Sequence, residues 1–229
     1  MKGPLIISRM RHHLETHHPS AFLLGMQLLL LILYALFDGF PLQRALISAI
    51  NVLVLVLVIW VLNRAPGVDW FAWLLGVPAF FLSLASALVP GISVQLWSSL
   101  FEASLFLYAA GRLIVYMMGD TTVTVDELFA AGATFTLFAW GFAHLFMVSQ
   151  EVNPASFISS SGQTTPFTFL QLLSVSFTNL SATGMSDITP VLPMARVIMM
   201  LEQFTGIGYV AAVVSRLIGM TLQRIKRTR

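Results

Sequence analysis

No cysteine occurs in this chain, so disulfides, thiolate metal sites and cysteine nucleophiles are excluded. Charge is almost as scarce. Only 10% of the 229 residues are Asp, Glu, Lys or Arg, where an ordinary soluble domain carries about a quarter. No phosphate loop, hydrolase elbow or HExxH pair is present, so the chain is not expected to be an enzyme. A cleavable leader is not expected either, because the first apolar stretch follows a polar leader and lacks a small-residue cleavage pattern.

What is abundant is apolar surface. Hydrophobic residues make up 57% of the chain, more than a soluble fold of this size hides, so lipid is expected to be the solvent for much of it. A helix needs about 20 mostly apolar residues to cross the hydrocarbon core. Six such segments are expected: Ala21 to Phe37, Leu42 to Leu62, Trp70 to Val89, Leu96 to Met118, Val125 to Val148 and Leu192 to Met220. Asp38-Gly39-Phe40-Pro41, Asn63-Arg64-Ala65-Pro66-Gly67 and Pro90-Gly91 punctuate the early ones. Trp70, Trp73 and Trp97 fall near span ends, where amphipathic rings favour the membrane interface.

Between Ser149 and Val191 the pattern changes. Asn153 to Thr165 is polar, and Pro166 to Leu180 is apolar but too short to span. The latter reads as a re-entrant or buried half-helix, with Pro166 in its first turn. Irregular backbone at membrane depth must be surrounded by protein or line a water-filled cavity. A pore or vestibule is therefore expected here.

The basic residues orient the spans. With six, one side holds Lys2, Arg9, Arg11, Arg64, Arg112, Arg216, Arg224, Lys226, Arg227 and Arg229, and the other only Arg44 and Arg196. The positive-inside rule puts both termini in the cytoplasm of a multi-pass protein of the cell (plasma or inner) membrane. The fourth span carries one basic residue, Arg112, where voltage sensing needs about 3–4 gating charges per subunit. A voltage sensor is not expected; Arg112 and Arg216 read as snorkelling anchors, with the edge of the inner mouth as the alternative place for Arg216.

Residues 174 to 190 read Ser-Val-Ser-Phe-Thr-Asn-Leu-Ser-Ala-Thr-Gly-Met-Ser-Asp-Ile-Thr-Pro. This resembles the pore helix and filter of the potassium-channel superfamily, whose pattern is Ser-Phe-x-Thr-Leu-(Thr/Ser)-Thr-Val-Gly-Tyr-Gly-Asp-x-x-Pro. Met194-Ala195-Arg196 and Leu201-Glu202-Gln203 are similar to the start of the inner helix in bacterial members with one pore per subunit. The specific likeness covers roughly residues 165 to 220. It implies an all-α transmembrane fold of six spans, with a re-entrant pore helix and filter loop between the fifth and sixth, assembled as a homotetramer. The implied organisation is a cytoplasmic N-terminal segment (1–19), a four-helix peripheral membrane domain (20–120), a pore domain (121–220) and a basic cytoplasmic tail (221–229).

By the same resemblance, Ala182, Thr183, Gly184, Met185 and Ser186 form the ion-conducting filter. Potassium or sodium would bind at carbonyls such as those of Thr183 and Gly184, with no other cofactor. Asp187 sits at the outer mouth and Glu202 supports the filter, given a donor such as a backbone N–H. Gly206 and Gly208 serve helix packing or a gating hinge. Departures from the pattern stand at Ala182 for threonine, Thr183 for valine, Met185 for an aromatic residue and Ser186 for the second glycine. A serine forced into left-handed backbone costs about 1–2 kcal/mol. Together these changes point to weaker potassium-over-sodium discrimination. A filter that keeps its shape and one that has collapsed are the alternatives.

Other residues have two readings. Glu102 and His144 fall inside spans, where ionisable groups are costly: they are either helix contacts or a gating element, His144 sensing pH. Gly132, Gly141 and Ala131 suit close helix packing. His12, His13, His17 and His18 precede the first span and read as an interfacial segment rather than a metal site, since only Glu15 could complete one. Arg224 to Arg229 read as an anionic-lipid contact, with no nucleic-acid partner. The expected function is a tetrameric monovalent-cation channel. The rivals are a transporter or potassium-uptake subunit, which would repeat the pore element within one chain, and a non-conducting membrane scaffold.

Overall fold

The computed structural model describes residues 19–37, 53, 54, 56, 58, 70–88, 92–119, 125–162, 164 and 166–227. The architecture is nearly all helical: α1 (Pro19–Phe37), α2 (Trp70–Leu88), α3 (Ile92–Met118), α4 (Val125–Val152), α5 (Phe169–Leu180) and α6 (Pro193–Arg227). Two short strands, β1 (Phe157–Ser159) and β2 (Ile188–Pro190), pair antiparallel. Most of the expected segment 42–62 lies outside the described residues, as do the histidines at 12, 13, 17 and 18. Within that segment Leu53, Val54, Val56 and Val58 are helical, with Val54 and Val58 buried.

Among the described residues, three helices are long and apolar enough to cross a membrane: Ser93–Met118, Val125–Val152 and Pro193–Arg216. Ser20–Leu36 and Trp70–Ser86 are apolar but shorter. Proline at position 78 leaves α2 helical on both sides; a lost backbone hydrogen bond in such a helix is re-satisfied by neighbouring groups.

α4 is the central element. It packs most extensively on α3, and also on α5, α1 and α6. Its own residues explain why. Ala130, Ala133, Ala139 and Ala143 are buried and let neighbours approach, while Trp140 and Phe146 fill the space between them. Gly132 and Gly141 serve the same purpose, since an added Cβ would meet Leu24 and Leu107 side chains at 2.8 Å. Polar groups pin the bundle at discrete points. Asp126, in the first turn of α4, accepts from Ser20 N at 3.1 Å and Ser20 Oγ at 2.8 Å, which satisfies an orphan N–H at the start of α1. Thr136 Oγ1 donates to Gln27 Oε1 at 2.6 Å.

The fourth and sixth expected segments prove longer than their apolar runs. α3 begins at Ile92 and α6 continues to Arg227 as one helix. Arg216, expected as a snorkelling anchor, is held by Glu127 of α4, with Nη2 3.0 Å from Oε2. Tyr209 Oη donates to Ala131 O at 2.7 Å nearby, a second tie between the same two helices. Arg112 lies over the Tyr108 ring and donates to its hydroxyl at 3.0 Å.

Candidate pore loop

The approach to α5 is built by side chains standing in for backbone. Gln150, buried near the end of α4, donates to Phe167 O at 2.9 Å and accepts from Phe167 N at 2.7 Å, as a paired strand would. Thr168 then caps α5 in a reciprocal box: its Oγ1 accepts from Gln171 N, and the Gln171 side chain accepts from Thr168 N. The helix therefore begins at Phe169, and proline 166 lies before the cap rather than in the first turn. The capping box outweighs the preference of proline for that turn.

α5 is wedged between α4 and α6. Ser176 Oγ meets Ala139 O of α4 at 2.8 Å and the Glu202 carboxylate of α6. Glu202 is fully buried. Its partner is a side-chain hydroxyl on α5, not the backbone N–H expected. Asn179 is a second polar neighbour, yet Glu202 Oε2 and Asn179 Nδ2 lack hydrogen-bond partners of good geometry. Farther along, α6 passes so close to the end of α5 that a Cβ on Gly206 would collide with the Leu180 carbonyl. Nothing lies within 4 Å of the corresponding position on Gly208. Gly206 thus lets α6 pack closely against the end of α5, and Gly208 has no such contact among the described residues.

Beyond Leu180 the chain curls back over the helix end. Four donors gather on Thr178 O: Thr183 N at 3.0 Å, Gly184 N at 3.2 Å, Thr183 Oγ1 at 3.1 Å and Ser181 Oγ at 3.2 Å. Ser181 N and Ala182 N donate to Phe177 O and Asn179 O. These bonds satisfy the orphan carbonyls of the α5 C-terminus. They also turn the loop's N–H groups inward. Among the described residues, no donor reaches the carbonyl oxygens of residues 182 to 186.

The backbone strain expected at Ser186 falls elsewhere. Left-handed φ occurs at Gly184 (63°) and at Ala182 (57°), the one such non-glycine among the described residues. Ser186 has no left-handed φ, and its Oγ accepts from Ile188 N at 3.1 Å in a local turn. The missing threonine hydroxyl at 182 is flanked by two others, Ser181 Oγ and Thr183 Oγ1, 3.1 Å apart. Met185 is 84% exposed.

Strands β1 and β2 fasten the far side of the loop. Ser160 N donates to Asp187 O at 2.7 Å, and Val191 N to Ser156 O at 2.8 Å. The Asp187 side chain stays exposed. Arg196 Nε reaches Pro190 O at 3.3 Å. Beneath the loop lies an open cavity of about 420 Å³, lined by Leu180, Ser181 and Ala182 on one side and Gly206, Ile207 and Val210 on the other.

The structure thus brings 182 to 187 together with Glu202 and Gly206 around the end of α5. Two sets of positioning residues escaped the sequence analysis. Gln150 and Ser176 act across 17 and 26 residues and leave no local signal. The Thr168-x-x-Gln171 pattern was readable as a helix start. No protein-family model, curated protein or solved structure matches the chain.

Proposed function

We propose that the chain is one subunit of a tetrameric monovalent-cation channel of potassium-channel type, with the carbonyl oxygens of residues 182 to 186 lining the conduction path. The observation that carries this reading is the sorting of the loop's polar groups. The N–H groups of Ala182, Thr183 and Gly184 are committed to the carbonyls that end α5, and among the described residues no donor reaches the carbonyl oxygens of 182 to 186. An array of free carbonyls is what replaces water around a cation in a selectivity filter. The resemblance of residues 174 to 190 to such a filter points the same way.

One chain supplies one loop, and a closed ring needs several. The apolar part of α6 is only 17% buried inside the chain. That leaves a face for neighbouring copies around the loop. In this reading α1 to α4, α6 and the segment around Val54 span the membrane, α5 and its loop are re-entrant from outside, and both termini are cytoplasmic. Asp187 concentrates cations at the mouth, Glu202 braces α5, and the basic tail meets anionic lipid. The left-handed backbone at Ala182 is a weak point in the ring, and discrimination between potassium and sodium is expected to be modest.

The test is reconstitution in liposomes with reversal potentials measured under potassium and sodium gradients, alongside subunit counting by cryo-electron microscopy in lipid. Cation flux from tetramers with modest selectivity is the expected result. Tetramers that carry no current would make the chain a scaffold. Flux from monomers would point to a transporter.

A further inference from the structure

Glu102 and His144, singled out in the sequence without partners, prove to be each other's partner. Glu102 on α3 and His144 on α4 are 3% and 2% exposed, and Oε2 stands 3.0 Å from Nδ1. Ser98 Oγ donates to Oε1 at 3.0 Å, and Ser83 on α2 is another hydroxyl neighbour of the carboxylate. Among the described residues, Tyr34 on α1 is the other titratable group facing the pair. α2 and α5 contain no titratable residue. On α4 itself, Asp126, Glu127 and Glu151 lie toward the helix ends. On α6 the nearest is Glu202, engaged on the Ser176 side of α5.

Four helices therefore converge on this polar cluster, and the fifth contact is α5. The His144 ring lies 4.5 Å from the Phe169 ring and 5.5 Å from Phe106. Phe169 is the first residue of α5. Among the described residues His144 Nε2 has no hydrogen-bond partner, and Nδ1, though close to Glu102, has none of good geometry. A buried polar atom left unpaired between aromatic rings is costly. A proton gained there adds an N–H with no acceptor among the rings. A proton lost from the pair leaves a carboxylate facing the bare ring. Either change favours a different packing of His144 against Phe169.

We propose that Glu102 and His144 form a proton-binding site through which the outer helices set the position of α5, and with it the loop at 182 to 186. Both act as positioning residues, on α5 through Phe169. The consequence for conduction rests on the channel reading above; the proton site itself does not.

The test uses a reporter already in place. Trp140 sits one turn before His144, its ring 5.6 Å from Phe169 and 5.8 Å from Phe106. Tryptophan emission of the full chain in lipid nanodiscs is followed from about pH 8 to pH 5, the window in which histidine and its partners commonly change charge. The expected result is a transition that disappears in Trp140→Phe, is abolished by Glu102→Gln, and shares its midpoint with cation flux in liposomes. Should Glu102→Gln not assemble, Ser98→Ala is expected to displace the midpoint. Emission that is flat with pH, or a transition untouched by both Glu102→Gln and Ser98→Ala, overturns the proposal and leaves a purely structural pair. A transition abolished by Glu102→Gln in vesicles that pass no cations supports the proton site and overturns the channel reading instead.

Discussion

α4 and α6 are both long and apolar enough to cross a membrane, yet they are finished differently. In α4, 72% of the apolar stretch is buried within the chain; in α6 the figure is 17%. α4 meets four other helices of the chain, so its small residues and its buried aromatics pack against intramolecular neighbours. α6 presents Phe204, Ile207, Met200 and Leu201 outward, with Phe204 79% exposed. Its contacts with its own chain include Glu202 on Ser176, Gly206 on Leu180, Tyr209 on Ala131 and Arg216 on Glu127. Two apolar helices of similar length can thus have different tasks. One holds the chain together, and the other leaves much of its apolar surface outside the packing of its own chain.

The largest test of that contrast is truncation of one aromatic residue on each helix. Trp140 is fully buried against Tyr34, Phe106 and Phe169. Trp→Ala changes in cores cost about 3–5 kcal/mol. Where lipid replaces water the helices gain chiefly by van der Waals packing, so Trp140→Ala is expected near the low end, about 3 kcal/mol, in a reversible unfolding measurement in detergent. Phe204→Ala is expected to change that same stability by no more than about 0.5 kcal/mol while lowering the fraction of assembled oligomer. Equal effects on subunit stability would mean that α6 is as deeply packed in its own chain as α4.

A middle-sized effect separates the two glycines of α6. Gly206→Ala drives a Cβ into the Leu180 backbone, and carbonyls of a capped helix end cannot swing aside as a leucine tip can. Overpacking of this kind costs about 1–3 kcal/mol. Gly208→Ala meets open space and gains helix propensity, stabilising by up to about 1 kcal/mol. Thermal midpoints of the two variants should move in opposite directions. Movement in the same direction would return Gly206 to the role of hinge.

These contacts also mark where the sequence was readable and where it was not. The runs ending at Phe37, Leu88 and Met118 stand out because proline, glycine and aspartate punctuate them. The end of α5 stands out because a polar loop follows. The start of α5 was written in the Thr168-Gln171 box, with Pro166 a competing signal. Partnerships formed by tertiary packing were not legible. Glu102 and His144 are 42 residues apart, and either residue alone looks only like an ionisable group in an apolar helix. Glu202 suggests a brace, but only the approach of α5 reveals Ser176 as its partner. The placement of strain was also hidden. Motif comparison locates a lost glycine at Ser186, whereas the donors gathered on Thr178 O turn the chain earlier and put the left-handed residue at Ala182.

That difference supplies the smallest expected effect. Left-handed backbone costs a non-glycine residue about 1–2 kcal/mol, so Ala182→Gly relieves strain. Glycine also widens the unfolded ensemble, which costs about 0.4–1 kcal/mol. The net expectation is a stabilisation of about 0 to 1.5 kcal/mol per chain. Ser186→Gly has no strain to relieve, because Ser186 has no left-handed φ. It loses the bond from Ile188 N, a contribution of about 0.5–1.5 kcal/mol, and incurs the same entropic cost. It should therefore destabilise. The two substitutions, each to glycine and four positions apart in one loop, are expected to shift the unfolding midpoint of the reconstituted protein in opposite senses. A stabilising Ser186→Gly with a destabilising Ala182→Gly would put the left-handed turn back at the glycine position of the filter pattern, and the curl of the loop onto Thr178 would not describe the assembled protein.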